Sequence, residues 1–143
     1  MNLPDVNVLI YAFRSDTQHH SVCKAWLQGL AGSGVHFGIS PLSLSAVARV
    51  VTNPRFYKSP SPIDEVFAFA DKLLGQPNCV IVDPGERHWA ILKRLCIDAG
   101  AKGPLISDVW YAALAIEHGC TFITFDRDFA RFPGLSWREP AKP

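Results

Sequence analysis

The sequence predicts an α/β protein built as a three-layer sandwich, with a short, mostly parallel central sheet flanked by helices. Short apolar runs alternate along the chain with longer segments of helical periodicity. Glycine and proline punctuate almost every boundary between them. The 143 residues, 48% hydrophobic and 19% charged, are enough for one compact domain with its own core. A single domain is expected over 1–139, with 140–143 a frayed tail.

Residues 1–4 read as an opening strand, ended at Pro4 because proline has no N–H to give the ladder. The apolar run 6–13 follows as a buried helix. A second helix over 20–30 places Val22, Trp26, Leu27 and Leu30 at helical spacing and stops at Gly32-Ser33-Gly34. Residues 35–39 are β-like. Ser40-Pro41 then opens a helix to about Val51, with a capping hydroxyl ahead of a first-turn proline. Asn53-Pro54 closes it, and the serines and prolines of 58–62 mark a surface loop.

A helix over 62–74 gathers Val66, Phe67, Phe69, Ala70 and Leu73 on its apolar side. Residues 80–82 are a strand, and 86–99 a helix stopped at Gly100. Residues 107–118 are apolar almost all round, which predicts a buried central helix. Strands at 120–124 and 135–138 complete the sheet. Strands separated by helices imply parallel pairing with helices on both faces.

Fourteen Lys and Arg stand against 13 Asp and Glu, a formal net charge of +1. Contact with nucleic acid would therefore rest on a local basic patch, leaving the acidic residues for another task. The four cysteines, at 23, 79, 96 and 120, form no C-x-x-C pair. They read as reduced thiols rather than a zinc site or disulfide framework. With no leader pattern and no apolar run of membrane-spanning length, a reducing cytoplasm is the expected location, with no membrane partner.

In parallel α/β sheets function collects at the carboxyl ends of the strands. Asp5 ends the first predicted strand, Asp126 and Asp128 follow the fourth, and Asp108 opens the central helix. Each alone has an ordinary reading: Asp108 as a helix N-terminal acid favoured by the dipole, Asp126 and Asp128 as turn formers. Together on one sheet edge they would repel one another, and a bound cation resolves that repulsion. Oxygen ligands select Mg²⁺, with Mn²⁺ the alternative, and such ions activate water against phosphodiesters.

Leu-Pro-Asp-Val-Asn-Val-Leu-Ile-Tyr-Ala at 3–12 resembles the opening motif of PIN-domain proteins, most closely the VapC toxins of bacterial toxin–antitoxin pairs. Val50-Val51-Thr52-Asn53-Pro54-Arg55, Ser107-Asp108 and Thr124-Phe125-Asp126-Arg127-Asp128-Phe129, followed by Phe132-Pro133-Gly134-Leu135, resemble later segments in the same order. The resemblance implies a PIN-like fold, Mg²⁺-dependent endoribonuclease activity on an RNA substrate, homodimerisation, and inhibition by a cognate VapB antitoxin. Carried over by position, the catalytic acids are Asp5, Asp108, Asp126 and Asp128. Asp5, Asp108 and Asp126 are the implied metal ligands, with the division of labour between Asp126 and Asp128 left open. Asn7 would orient Asp5 or a bound water, and Thr124 would hydrogen-bond within the carboxylate cluster.

The sequence departs from the family at one place. A Glu usually stands three residues before the Arg of the helix that ends in Asn-Pro, and here that position is Ala46. No Asp or Glu occurs between Asp16 and Asp64 to replace it.

Arg49, Arg55 and Lys58 cluster beside Phe56 and Tyr57, a pattern suited to phosphates and unpaired bases. Arg49 and Arg55 are the candidate RNA contacts. The leading reading is thus a metal-dependent ribonuclease toxin. The alternative is a PIN-like binding module, with catalysis weakened or lost at Ala46, that acts by holding RNA or an antitoxin. A phosphatase using Asp5 as nucleophile is disfavoured, because the Asp-x-Asp pattern expected of it is absent after Asp5.

Overall fold

The computed structural model describes residues 1–141. Part of the expected tail, residues 142 and 143, lies outside the described residues; Pro140 is buried and Ala141 exposed. In chain order the elements are β1 (Asn2–Pro4), α1 (Val6–Phe13), α2 (His20–Gly32), β2 (Phe37–Ile39), α3 (Pro41–Val51), α4 (Ile63–Leu74), β3 (Cys79–Ile81), α5 (His88–Ala99), α6 (Leu105–Glu117), β4 (Thr121–Ile123) and β5 (Ser136–Arg138). A 3-10 helix, Arg127–Arg131, lies between the last two strands. Every strand pairing is parallel, in the order β3-β2-β1-β4-β5.

Side chains alternate across the sheet, so each face has a separate core. Phe37, Ile39 and Ile123 pack under Val8, Leu9, Val47, Val51 and Val66 of α1, α3 and α4. Leu3 and Phe122 face the other way, onto Leu95 of α5 and the Val109–Ala115 stretch of α6. These two cores on either side of one sheet make the three layers. Among the described residues no helix is long and apolar enough to cross a membrane.

The strand order creates the position where a site can form. From β1 the chain adds β2 and β3 on one side, then returns to place β4 and β5 on the other. The crevice between β1 and β4 is therefore the topological switch point, where open parallel sheets bind ligands. Pro4 is tolerated in this central strand for a local reason. The Asp5 N–H donates to the Ile123 carbonyl of β4 at 2.8 Å, so Pro4, one residue away, faces β2. Pairing with β2 is registered only at Asn2↔Phe37, and no donor is needed at Pro4.

Several boundaries differ from expectation. β3 lies one residue earlier than expected and leaves Ile81 at 56% exposure on the sheet edge. Phe67 of α4 also points outward, at 56% exposure, while Val66, Ala70 and Leu73 form the buried stripe. Ser40 precedes α3 but does not cap it with its hydroxyl. Its carbonyl takes the Ser43 and Leu44 N–H groups at 3.0 and 3.3 Å, and its buried hydroxyl has no partner among the described residues. Close packing inside the sheet explains Gly38. A Cβ there would stand 2.6 Å from Val82 Cγ2 and 3.4 Å from Leu3 Cδ1.

Candidate active site

Asp5 ends β1 and starts α1. Its extended backbone (φ −70°, ψ 159°) makes it the N-cap, and its Oδ1 accepts the Val6 N–H at 2.7 Å. Its Oδ2 accepts the Thr124 hydroxyl at 2.7 Å across 119 residues of sequence. Each carboxylate oxygen thus keeps one acceptor direction for a ligand.

Thr124 is fully buried at the end of β4 and all its bonding capacity is used. Its hydroxyl donates to Asp5 and accepts from Asn7 Nδ2 at 3.3 Å and the Asp126 N–H at 3.0 Å. One oxygen therefore sets the relative placement of β1, α1 and the β4 exit. Asn7 does not touch Asp5 directly, contrary to one expected role. It reaches Asp5 through Thr124, and its own Oδ1 is buried without a partner among the described residues.

α6 begins at Leu105, two residues before the expected start, and Asp108 lies within its first turn. Its carboxylate accepts no hydrogen bond from the described residues. Asp5 and Asp108 line one cleft of about 470 Å³ together with Val6, Leu42, Ser45, Ala46, Arg49, Ile106, Ser107, Trp110 and Tyr111. Asp126 and Asp128 border this cluster electrostatically but do not line the cleft. Asp126 Oδ1 is engaged by the Asp128 N–H at 2.9 Å, capping the 3-10 helix.

The electrostatics are those of crowded, poorly compensated acids. Burial pushes Asp5 from 3.8 up to about 6, against the pull of the Thr124 and Val6 hydrogen bonds, and the Asp108 and Asp126 charges add to the rise. Asp108 is raised by burial and by Asp126 and Asp128, with Arg131 opposing. Burial also raises the Tyr111 phenol, which feels Asp5 and Asp108 as well as Arg49. Among the described residues no Lys or Arg forms an ion pair with Asp5, Asp108 or Asp126.

Among the described residues no three His, Cys, Asp or Glu side chains are placed so that they could hold a metal ion by themselves. The expected trio of Asp5, Asp108 and Asp126 is therefore not a ready-made cage. Ala46 leaves the α3 wall without a carboxylate, and Asp126 is drawn into its own helix cap. The donor set still suits Mg²⁺, which keeps several waters and commonly binds through one or two carboxylates. Asp5, with a free direction on each oxygen, and Asp108, with no hydrogen bond from the described residues, are the two that would hold it.

Of the two expected RNA contacts, Arg49 lines the cleft and Arg55 does not. Arg55 lies in the exposed turn after α3, where its N–H bonds to Asn53 Oδ1 at 2.9 Å. Sequence reasoning missed Tyr111 and Ser45 as cleft residues. The signal was available in helical spacing. Tyr111 lies three residues beyond Asp108, and Ser45 four before Arg49, each on the face of a residue already singled out.

An all-parallel α/β sandwich with acids gathered at its switch point is the class of domain this chain presents. The PIN domain family matches it over residues 3–135. Ribonuclease VapC25 of Mycobacterium tuberculosis is 38% identical over 140 residues, covering 98% of this chain and 99% of that protein. VapC ribonuclease Mb2897 of Mycobacterium bovis is 39% identical over 136 residues, covering 95% and 92%. The chain belongs to the PIN-domain family and, within it, to the VapC type. Solved structures agree at the level of fold. The crystal structure of VapBC2 from Rickettsia felis bound to a promoter DNA fragment superposes with a TM-score of 0.71 at 20% identity, covering 96% and 97% of the two chains. Mycobacterium tuberculosis VapC20, a Sarcin-Ricin loop cleaving toxin, gives 0.63 at 14% identity, covering 95% and 99%.

Proposed function

We propose that this chain is the ribonuclease toxin of a type II toxin–antitoxin pair, a Mg²⁺-dependent endoribonuclease held in check by a VapB-type antitoxin. The observation that carries this reading is the meeting of Asp5 and Asp108, 103 positions apart, in one cleft at the switch point, where their repulsion calls for a cation. A divalent ion there would neutralise phosphate charge and acidify a water molecule. Water adds to phosphorus, one P–O ester bond breaks, and the products are a phosphate monoester end and a hydroxyl end. Asp5 is held for this task by Thr124 and Val6, and Asp108 by the first turn of α6. Asp126 and Asp128 add negative charge beside the pair.

The named relatives support the substrate class, since they are ribonucleases. VapBC complexes among the fold neighbours support the antitoxin. A groove of about 200 Å³, lined by Ala12, Leu27, Phe69 and Leu73 and rimmed by Lys24 and Lys72, suits an amphipathic helix carrying acidic residues. The expected homodimer and a cytoplasmic location belong to the same proposal.

Ala46 favours a second reading, a module that binds RNA or antitoxin with little catalysis. One experiment separates the two. Purified protein is incubated with total RNA in Mg²⁺, Mn²⁺ or EDTA beside Asp5→Asn. Metal-dependent cleavage lost in Asp5→Asn supports the enzyme. RNA binding without cleavage supports the module. Cleavage indifferent to both EDTA and the substitution overturns the acidic site.

A further inference from the structure

We infer that Arg49 binds the phosphate undergoing cleavage, supplying from α3 a fixed positive charge across the cleft from Asp5 and Asp108. This rests on the nuclease reading above and assigns a residue its charge requires. The cleft has an acidic wall, Asp5 and Asp108, and an α3 wall made of Leu42, Ser45, Ala46 and Arg49. Among the described residues, Arg49 is the single basic one lining it. It is exposed, and among the described residues its guanidinium makes no hydrogen bond or ion pair.

Arg49 is not spent on neutralising the acids. The cation that offsets Asp108 is Arg131, which does not line the cleft. Tyr111 lines the same cleft and feels the charges of Asp5 and Asp108 as well as that of Arg49. A phosphodiester has a matching layout. Its oxygens can face a cation held by the acids and, at the same time, a guanidinium, whose planar fork suits two phosphate oxygens.

Ala46 is part of the same arrangement. It lies three residues before Arg49 on the same face of α3, where side chains are neighbours. A carboxylate at 46 would pair with the guanidinium and withdraw it from phosphate. A methyl group leaves it free. The wall that lacks a metal ligand is thus the wall that carries its own cation.

The test uses the intact chain and a nuclease-resistant 2′-O-methyl RNA oligonucleotide, with binding measured in EDTA over a salt series. Arg49→Met is expected to weaken binding about 10-fold to 100-fold. It should also flatten the slope of log affinity against log salt by about 0.7, the loss of one single-strand phosphate contact. Arg49→Lys should keep the slope and lose part of the affinity. Ala46→Glu should behave like Arg49→Met, and Ala46→Gln like the wild type.

Equal affinity and slope in the wild type and Arg49→Met overturn the inference, as does full-strength binding by Ala46→Glu. Cleavage in Mg²⁺ separates this outcome from failure of the nuclease reading. If the wild type and Arg49→Met cleave RNA equally well, Arg49 has no such role and the nuclease stands. If the wild type does not cleave while binding still depends on Arg49, the nuclease reading fails and the arginine site stands.

Discussion

Replacing Asp5 by Asn should make the metal-free protein more stable while removing its proposed activity. The magnitude follows from the carboxyl's surroundings. Its proton affinity rises from an ordinary 3.8 to about 6 in the fold, chiefly through burial. At about 1.4 kcal/mol per tenfold change, that is about 3 kcal/mol. The native state holds this proton more tightly than the unfolded chain does. Its contribution is therefore most favourable below about pH 4 and is lost as pH rises through about 6. Above that, the ionised carboxylate works against folding. Asn removes this burden and still offers an oxygen to the Val6 N–H. It deprives the Thr124 hydroxyl of its carboxylate acceptor, a cost of about 1 kcal/mol. The net expectation is a gain of about 2 kcal/mol near pH 8 in EDTA, shrinking to nothing or reversing near pH 4.5. Urea denaturation of both proteins at the two pH values measures it, with equal slopes confirming that the unfolded states are comparable. Added Mg²⁺ should stabilise the wild type and leave Asp5→Asn nearly unchanged. An Asp5→Asn protein no more stable than the wild type near pH 8 would refute the reasoning, because the carboxylate would then not be under electrostatic stress.

Other perturbations test other parts of the site and fold. Thr124→Val strips three hydrogen bonds from one buried oxygen and should cost about 1–3 kcal/mol in urea denaturation, with Thr124→Ser recovering most of it. Asp108→Asn should keep the fold's stability by thermal denaturation, yet lower Mg²⁺-dependent RNA cleavage by about a hundredfold or more. Gly38→Ala forces a methyl group against Val82 and should cost about 1–3 kcal/mol, while adding Val82→Ala recovers part of the loss.

The layers and the order of elements were readable because the helical runs carried a clear period and most boundaries a breaker. Asp5 stood out for a physical reason. An acid between a strand and an apolar helix has no solvent-facing excuse. Details that depend on contacts from afar were not readable. Nothing local shows that α6 starts at Leu105, because Gly103 and Pro104 resemble a connection until the helix docks on α5. Phe67 has the spacing of a core residue, yet the stripe of α4 is filled by Val66, Ala70 and Leu73. Thr124 was expected to bond within the acidic cluster, but that it would join Asp5, Asn7 and Asp126 through one hydroxyl needed the β1–β4 register. The absence of a complete ligand trio also needed the structure, since only there is Asp126 seen turned to its own helix cap.

The pairing of β1 with β4 has a consequence for when this molecule can act. Asp5 is made well before the hydroxyl that holds it, 119 positions later, and the strand that seats it. A growing polypeptide that has not yet reached Thr124 has no assembled centre, whatever its helices are doing. Assembly of the centre is thus deferred until β4 has been made, and a product cut short before β4 is expected to lack it.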